Sequence, residues 1–209
     1  REPDRLTMVW AVRPRFNELR VEASPLNSVD WQQQVRAFES LAAYLNGFVN
    51  LTGAGTPERL AVVQVPPNLF QTLGVDPIVG RSFTDADNEQ TELVAIVNEA
   101  FVKRFFKSHE DPLDQRFGLD LPEYASTFRI VGIVRDAKFA GWGLNRPARP
   151  MFYVPLAQRV VYNHELMDRI ETQSHFMGGL MLVTDLAPGT VEPMVRKALA
   201  AVDPNLTFN

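Results

Sequence analysis

An α+β fold is what this sequence predicts, and three observations predict it. Short apolar runs of strand character are interleaved with stretches of helical spacing. Hairpin signals recur, whereas a doubly wound parallel sheet would alternate strand and helix regularly. The apolar runs are also short (LAVV at 60–63, VAIV at 94–97 and RIVGIV at 129–134), and none approaches the ~20 residues of a spanning helix.

The 209 residues allow one large domain or two small ones, and 45% hydrophobic with 22% charged residues is the composition of a folded chain with a sizeable core. A formal net charge of −4 argues against a nucleic-acid-binding surface. With no cysteine, disulfides, thiolate metal sites and cysteine nucleophiles are excluded, and an oxidising compartment is suited. No signal-peptide pattern opens the chain. It starts at Arg1 rather than Met, so a piece of a longer protein is expected.

Taken in order, LTMVWAV at 6–12 suits a pleated surface and reads as a strand. Pro14 and Pro25 bracket an irregular or edge segment around ELRVEA. Ser28 then caps a predicted helix whose Trp31, Val35, Phe38, Ala42 and Leu45 share one face, ending near Asn46–Gly47. FVNLTG at 48–53, the turn GAGTP and RLAVVQV at 59–65 form a hairpin pattern. Pro66–Pro67 stops that strand. Asn68 is placed to cap a short helix carrying Leu69, Phe70 and Leu73, and Gly74 to end it. Gly80 permits a tight turn, and Thr84 with Asp87 resembles a capping pair. ELVAIVN at 92–98 reads as a buried strand running into Asn98 as a helix cap. Phe101, Val102, Phe105 and Phe106 follow at helical spacings, with burial between two layers expected. FRIVGIVRD at 128–136, MFYVPL at 151–156 and GGLMLVTD at 178–185 read as strands. Thr190 is placed to cap a last helix with Pro193 in its first turn. Residues 158–176 carry no clear period.

The search for chemistry returns little. His109, His164 and His175 lack the spacing of a helical metal site, and His164–Glu165 with Asp168 reads as a polar surface segment. Asp85, Asp87 and Glu89 alternate like the start of a calcium loop, yet Gln90 and Ile96 stand where glycine and glutamate are needed, leaving a solvated acidic turn. No serine sits in a nucleophile elbow, and Gly53 and Gly55 precede a strand rather than open a phosphate-binding helix. Glu39 and Glu58 have no visible partner. Asn50-Leu51-Thr52 and Asn205-Leu206-Thr207 match the short glycosylation sequon and carry little information. Trp142, between glycines in the loop GWGLNRP, either anchors an interface or folds back on a local core. No catalytic residue, metal site or cofactor is assigned.

The order of local patterns reaches further. PDRLTMVW at 3–10 and VDWQQQVRAFESLAAY at 29–44 open a series continued by NLFQTLGVDPIVGRSFTDAD at 68–87, VAIVNEAFVKRFF, DPLDQRF and FRIVGIVRDAKFAG. MFYVPLAQ and LMLVTDLAPGTVEPMVRKALAAVDPNL close it. This series resembles the MacB-like periplasmic core domain of ABC-transporter permeases (the FtsX/MacB-type permease family). The 68–87 stretch is similar to that family's N-x-F-x-x-L-G, P-x-x-G-R-x-F-x-x-x-D pattern. Two departures stand out: the family usually has glycine where Asp114 stands, and residues 159–176 match nothing clear.

The resemblance implies two lobes outside the inner membrane, facing the periplasm. Residues 1–80 with 177–209 would form a porter-like α+β lobe, and 81–176 an inserted, smaller, sabre-like lobe. Gly74, Pro77 and Gly80 would make the crossover turn stiff and fix the lobes' relative orientation. The implied role is non-catalytic mechanotransmission. A cytoplasmic ABC ATPase, fused or separate, moves the chain's own transmembrane helices, and the modules of two permease copies move against each other. The work outside would be efflux toward a periplasmic adaptor and outer-membrane channel, lipoprotein extraction, or control of a cell-wall enzyme. The isolated segment is then expected to be monomeric or weakly dimeric, with no nucleic-acid partner. Two other classes compete: a free periplasmic ligand-binding or adhesion module, which needs a concave pocket with convergent polar groups near Trp142 and Tyr153, and a hydrolase, which needs a carboxylate pair in a cleft.

Overall fold

The computed structural model describes residues 6–9, 11–13, 18–21, 39–52, 58–119, 121–137, 147–172 and 177–202. The elements are β1 (Leu6–Val9), β2 (Ala11–Arg13), β3 (Glu18–Val21), β4 (Ser40–Thr52), β5 (Glu58–Val65), α1 (Leu69–Leu73), β6 (Val79–Gly80), β7 (Val94–Asn98), α2 (Glu99–Phe105), β8 (Arg116–Leu119), a 3-10 turn (Pro122–Tyr124), β9 (Phe128–Val134), β10 (Met151–Pro155), α3 (Glu165–Glu171), β11 (Gly179–Val183) and α4 (Pro188–Val202). This is the mixed fold the sequence predicts.

The backbone forms two compact units, one of residues 1–45, 68–74 and 174–209, the other of 46–67 and 75–173. The division differs from the expected lobe limits. Residues 46–67 and 75–80 join the second unit because β5 lies parallel to β10, from Ala61↔Met151 to Val65↔Pro155, and β6 pairs with β9 at Val79↔Ile133.

In the first unit β11 runs antiparallel to β1, from Leu6↔Val183 to Val9↔Leu180, and to the start of β4, from Ser40↔Val183 to Tyr44↔Gly179. β2 and β3 make a separate antiparallel pair. Leu41, Ala42, Leu69, Phe70, Leu180, Leu182 and Val191 are buried here. The helix expected to end near Asn46–Gly47 is corrected: Ser40–Leu45 are strand, while Ser28, Trp31, Val35 and Phe38 lie outside the described residues. The ladder to β11 satisfies these backbone groups in place of helical bonds, and Leu41–Tyr44 are buried in succession, as strands covered on both faces are. The last helix also starts earlier than expected. Thr190 and Val191 donate backbone N–H bonds to Ala187, so Thr190 lies inside α4 and Pro193 falls beyond its first turn.

In the second unit the strand order is β5-β10-β7-β9-β6, with β8 bonded to β9 and to the end of β4. The pairs β5/β10 and β7/β9 are parallel, β10/β7 and β9/β6 antiparallel. β7 and β10 are buried along their whole length. Phe101, Phe117, Phe128 and Phe152 pack ring on ring, with centroids 5.0 Å apart for Phe117–Phe152 and 5.2 Å for Phe101–Phe117. Such pairs add about 0.5–1.5 kcal/mol each beyond their area burial. The phenylalanine helix α2 thus buries Phe101 fully, and Phe105 and Phe106 partly, against this core, as its spacing predicts. The unplaced stretch 158–176 contains α3, whose Met167 packs on the same core.

Candidate functional site

The stretch 68–87 is where sequence expectation is most specific, and its residues prove to be occupied with structure. Asn68 does not cap α1 with its side chain. Its Nδ2 reaches across to β4 instead, donating to the Leu41 carbonyl at 3.0 Å and to Ser40 Oγ at 3.3 Å. Thr72 Oγ1 donates to the Asn68 carbonyl at 2.9 Å and lies 2.6 Å from Ser40 Oγ. Phe70 is buried, and Gly74 ends the helix in the left-handed region at φ 65° with its N–H on the Phe70 and Gln71 carbonyls. That is the αL C-cap that glycine makes without steric cost.

Beyond Gly74 the chain enters the second unit. Pro77 is half-buried, then the Ile78 and Arg81 amides donate to the Ile133 and Val131 carbonyls at 2.8 and 2.9 Å. Gly80 sits between them at φ 79°, and a Cβ there would lie 2.3 Å from the Val131 carbonyl oxygen. Two independent reasons therefore require glycine. Arg81 grips Asp87 with two bonds, 2.7 Å to Oδ2 and 2.8 Å to Oδ1, and Asp87 Oδ2 accepts from the Thr84 amide at 2.8 Å. Asp87 is only 5% exposed, so it is not the solvated residue expected of this acidic turn. Burial by itself raises its carboxyl pKa. The Arg81 guanidinium, the Thr84 amide and the Thr84 hydroxyl outweigh burial and hold it below the usual value. Phe83 is buried beneath the turn.

A second polar centre, absent from the sequence reading except as a helix cap, surrounds Asn98. Its side chain is fully buried and makes four bonds. Oδ1 accepts from the Phe101 amide at 3.0 Å, the expected cap, and from the Met151 amide at 3.0 Å. Nδ2 donates to Asp136 Oδ1 at 2.7 Å and to the Arg149 carbonyl at 2.9 Å. Asp136 Oδ1 also accepts from the Ala100 amide at 2.9 Å, and the Asp136 amide donates to Glu99 at 3.1 Å. Nearby, burial and then the Asp136 charge push the Tyr153 hydroxyl up to about 12.

Other polar groups are likewise partnered. Buried Gln158 accepts from the Val94 amide at 3.0 Å and donates to the Glu92 carbonyl at 2.9 Å. Glu92 binds Arg116 and Arg129, and Arg129 reaches Asp114 at 2.7 Å. Asp114 has φ 61°, the left-handed conformation that glycine adopts without steric cost. Glu58, without a visible partner in sequence, pairs with Arg104 at 3.1 Å. Among the described residues no group of three or more His, Asp or Glu is placed to hold a metal ion. Trp142 lies outside the described residues. The long-range pairs Asn98–Asp136 and Gln158–Val94 had no local sequence signal, being 38 and 64 residues apart.

No helix among the described residues is long and apolar enough to cross a membrane. A family model described as the MacB-like periplasmic core domain matches residues 2–202. No curated protein matches the chain significantly. The fold is that of the periplasmic region of MacB from Actinobacillus actinomycetemcomitans, with TM-score 0.70 and 15% identity over 98% of this chain and 87% of that one. It is shared with the extracellular domain of the noncanonic ABC-type transporter YknZ from Gram-positive bacteria, with TM-score 0.65 and 10% identity over 95% of each chain. A domain of a permease protein from Porphyromonas gingivalis gives TM-score 0.59 and 12% identity over 95% of this chain and 81% of that one. The ordered motifs and the family match agree: the chain belongs to the MacB-like periplasmic core domain family of ABC-transporter permeases.

Proposed function

We propose that this domain transmits ATP-driven motion of a permease's transmembrane helices to work done outside the cytoplasmic membrane. The observation that carries the reading is the family match along nearly the whole chain, residues 2–202. The polar residues support it. Those of the 68–87 stretch and around Asn98 hold backbone and other side chains, which is how a part that works by shape is built. The partners this implies are the chain's own transmembrane helices, a cytoplasmic ABC ATPase and a second permease copy, with a periplasmic adaptor and outer-membrane channel where the work is efflux. Within the domain, the porter-like role falls to the first unit and the sabre-like role to the second. Gly74 and Gly80, each locked locally, act as the two stiff ends of the connection around Pro77. Trp142 is proposed as an interface anchor.

These 209 residues contain no cysteine, so a cysteine introduced among them, in a permease otherwise freed of reactive cysteine, makes a direct test available. Val161 is 64% exposed. In the full-length permease with its ATPase, Val161→Cys labelled by a membrane-impermeant maleimide in spheroplasts reports both location and motion. Labelling from outside, at a rate that changes about threefold or more between ATP-bound and nucleotide-free states, is expected. Labelling only after permeabilisation overturns the location. Labelling from outside at a nucleotide-independent rate overturns the transmission.

A further inference from the structure

We infer that Asn98 is a latch that joins the two ends of the 137–148 segment to the start of α2, so that loosening one end loosens the other. The chain leaves β9 after Val134, passes Asp136 and returns through Arg149 to β10, which begins at Met151. One buried amide side chain bonds both places, donating to Asp136 Oδ1 at 2.7 Å and to the Arg149 carbonyl at 2.9 Å. The same side chain holds the Met151 and Phe101 amides through Oδ1. Each of its two N–H groups and its carbonyl oxygen is thereby used, so Asn98 has no spare bonding capacity among these partners. Asp136 is itself exposed, but its carboxylate spans Asn98 and the Ala100 amide, and its own amide is held by Glu99.

A buried polar network of this kind is stronger complete than in parts. Breaking the Asp136 bond frees the Asn98 amide group to swing, and that weakens its hold on Met151, a residue that Asp136 does not bond. Aspartate at position 98 separates this role from simple helix capping. Its carboxylate still accepts from Phe101 and Met151 but has nothing to donate to Asp136 or Arg149, and it repels the Asp136 charge. The latch stands independently of the permease reading; only its use as a path for force from the 137–148 segment into the sheet rests on that reading.

Amide hydrogen exchange on this chain tests it. In Asp136→Ala, exchange at Ala100 rises about tenfold and at Met151 about threefold, while Ile130, which donates to Gln115, stays within about twofold. Asn98→Asp raises Ala100 about tenfold but leaves Phe101 within about threefold. If Met151 is unmoved in Asp136→Ala, the two ends are independent and the latch is wrong. If Ala100 is unmoved in Asn98→Asp, Asn98 is only a cap. Should Asn98→Asp not fold, Asp136→Ala decides, since that residue is exposed.

Discussion

Gly80 and Asp114 adopt the same left-handed backbone, φ 79° and φ 61°, beside the same strand β9. One must be glycine and the other need not be. At Gly80 the adjacent Val131 carbonyl would sit 2.3 Å from a Cβ, with Gly132 Cα at 2.9 Å. At Asp114 the side chain is 78% exposed, its amide is held by the Ile130 carbonyl at 2.9 Å and its carboxylate binds Arg129. The contrast separates two demands usually merged in a turn glycine. Positive φ alone costs an L-residue about 1 kcal/mol, and a short polar side chain bears that well. Positive φ with backbone packed against the missing Cβ leaves no alternative.

Substitutions at the two turns should differ in size. Gly80→Val should be the most damaging change, costing about 3 kcal/mol and lowering the melting temperature by roughly 10 °C. An unchanged melting temperature would mean the β6–β9 contact yields freely. Asp87→Ala removes the carboxylate that fastens the same turn and should cost about 2 kcal/mol by denaturant titration. Its pH dependence has a definite sign. Because the folded carboxyl is held below its ordinary 3.8, its contribution is present above that pH and is lost as pH falls below it. Asp87→Asn should flatten stability in that acid range.

At the other turn the effects shrink. Asp114→Ala keeps the strained φ and loses the Arg129 pair, for about 1 kcal/mol, most of it backbone because exposed ion pairs contribute little. Asp114→Gly relieves the strain but gives the unfolded chain more freedom, and should fall within about 0.5 kcal/mol of the parent. At alkaline pH Tyr153 sharpens a different point. Its hydroxyl, with pKa raised from 10.0 to about 12, favours the folded state fully below pH 10 and loses that contribution as pH rises toward 12. Tyr153→Phe should remove that alkaline slope.

What was legible in the sequence follows from range. Gly74 and the Asn98 cap answer local backbone needs within four residues, and their positions announce them; at Gly80 the positive φ is local, but the packing of Val131 against it is not. β7, β9 and β10 are apolar runs long enough to read as buried strands. Ala42 and Leu45 misled because buried-on-both-faces strand and helix share the same apolar residues, and only the partner β11, some 140 residues on, decides between them. Asn68 stands at the N-cap position as expected, but its side chain serves β4 rather than its own helix, which no local pattern announces. The compact units divide the chain differently from the expected lobes because β5 pairs with β10 across the sequence. The Asn98–Asp136 and Gln158 networks are wholly non-local.

The connection between Gly74 and Gly80 is proposed to work by its shape. Replacing Asp76–Pro77 by Gly-Gly in the intact permease tests it, because Asp76 is exposed and Pro77 half-buried, so the fold should survive. With the Val161→Cys reporter in place, ATP hydrolysis should continue while the nucleotide dependence of labelling disappears. If labelling still follows the nucleotide state as in the parent, a stiff connection is not what carries the motion, and the claim is wrong.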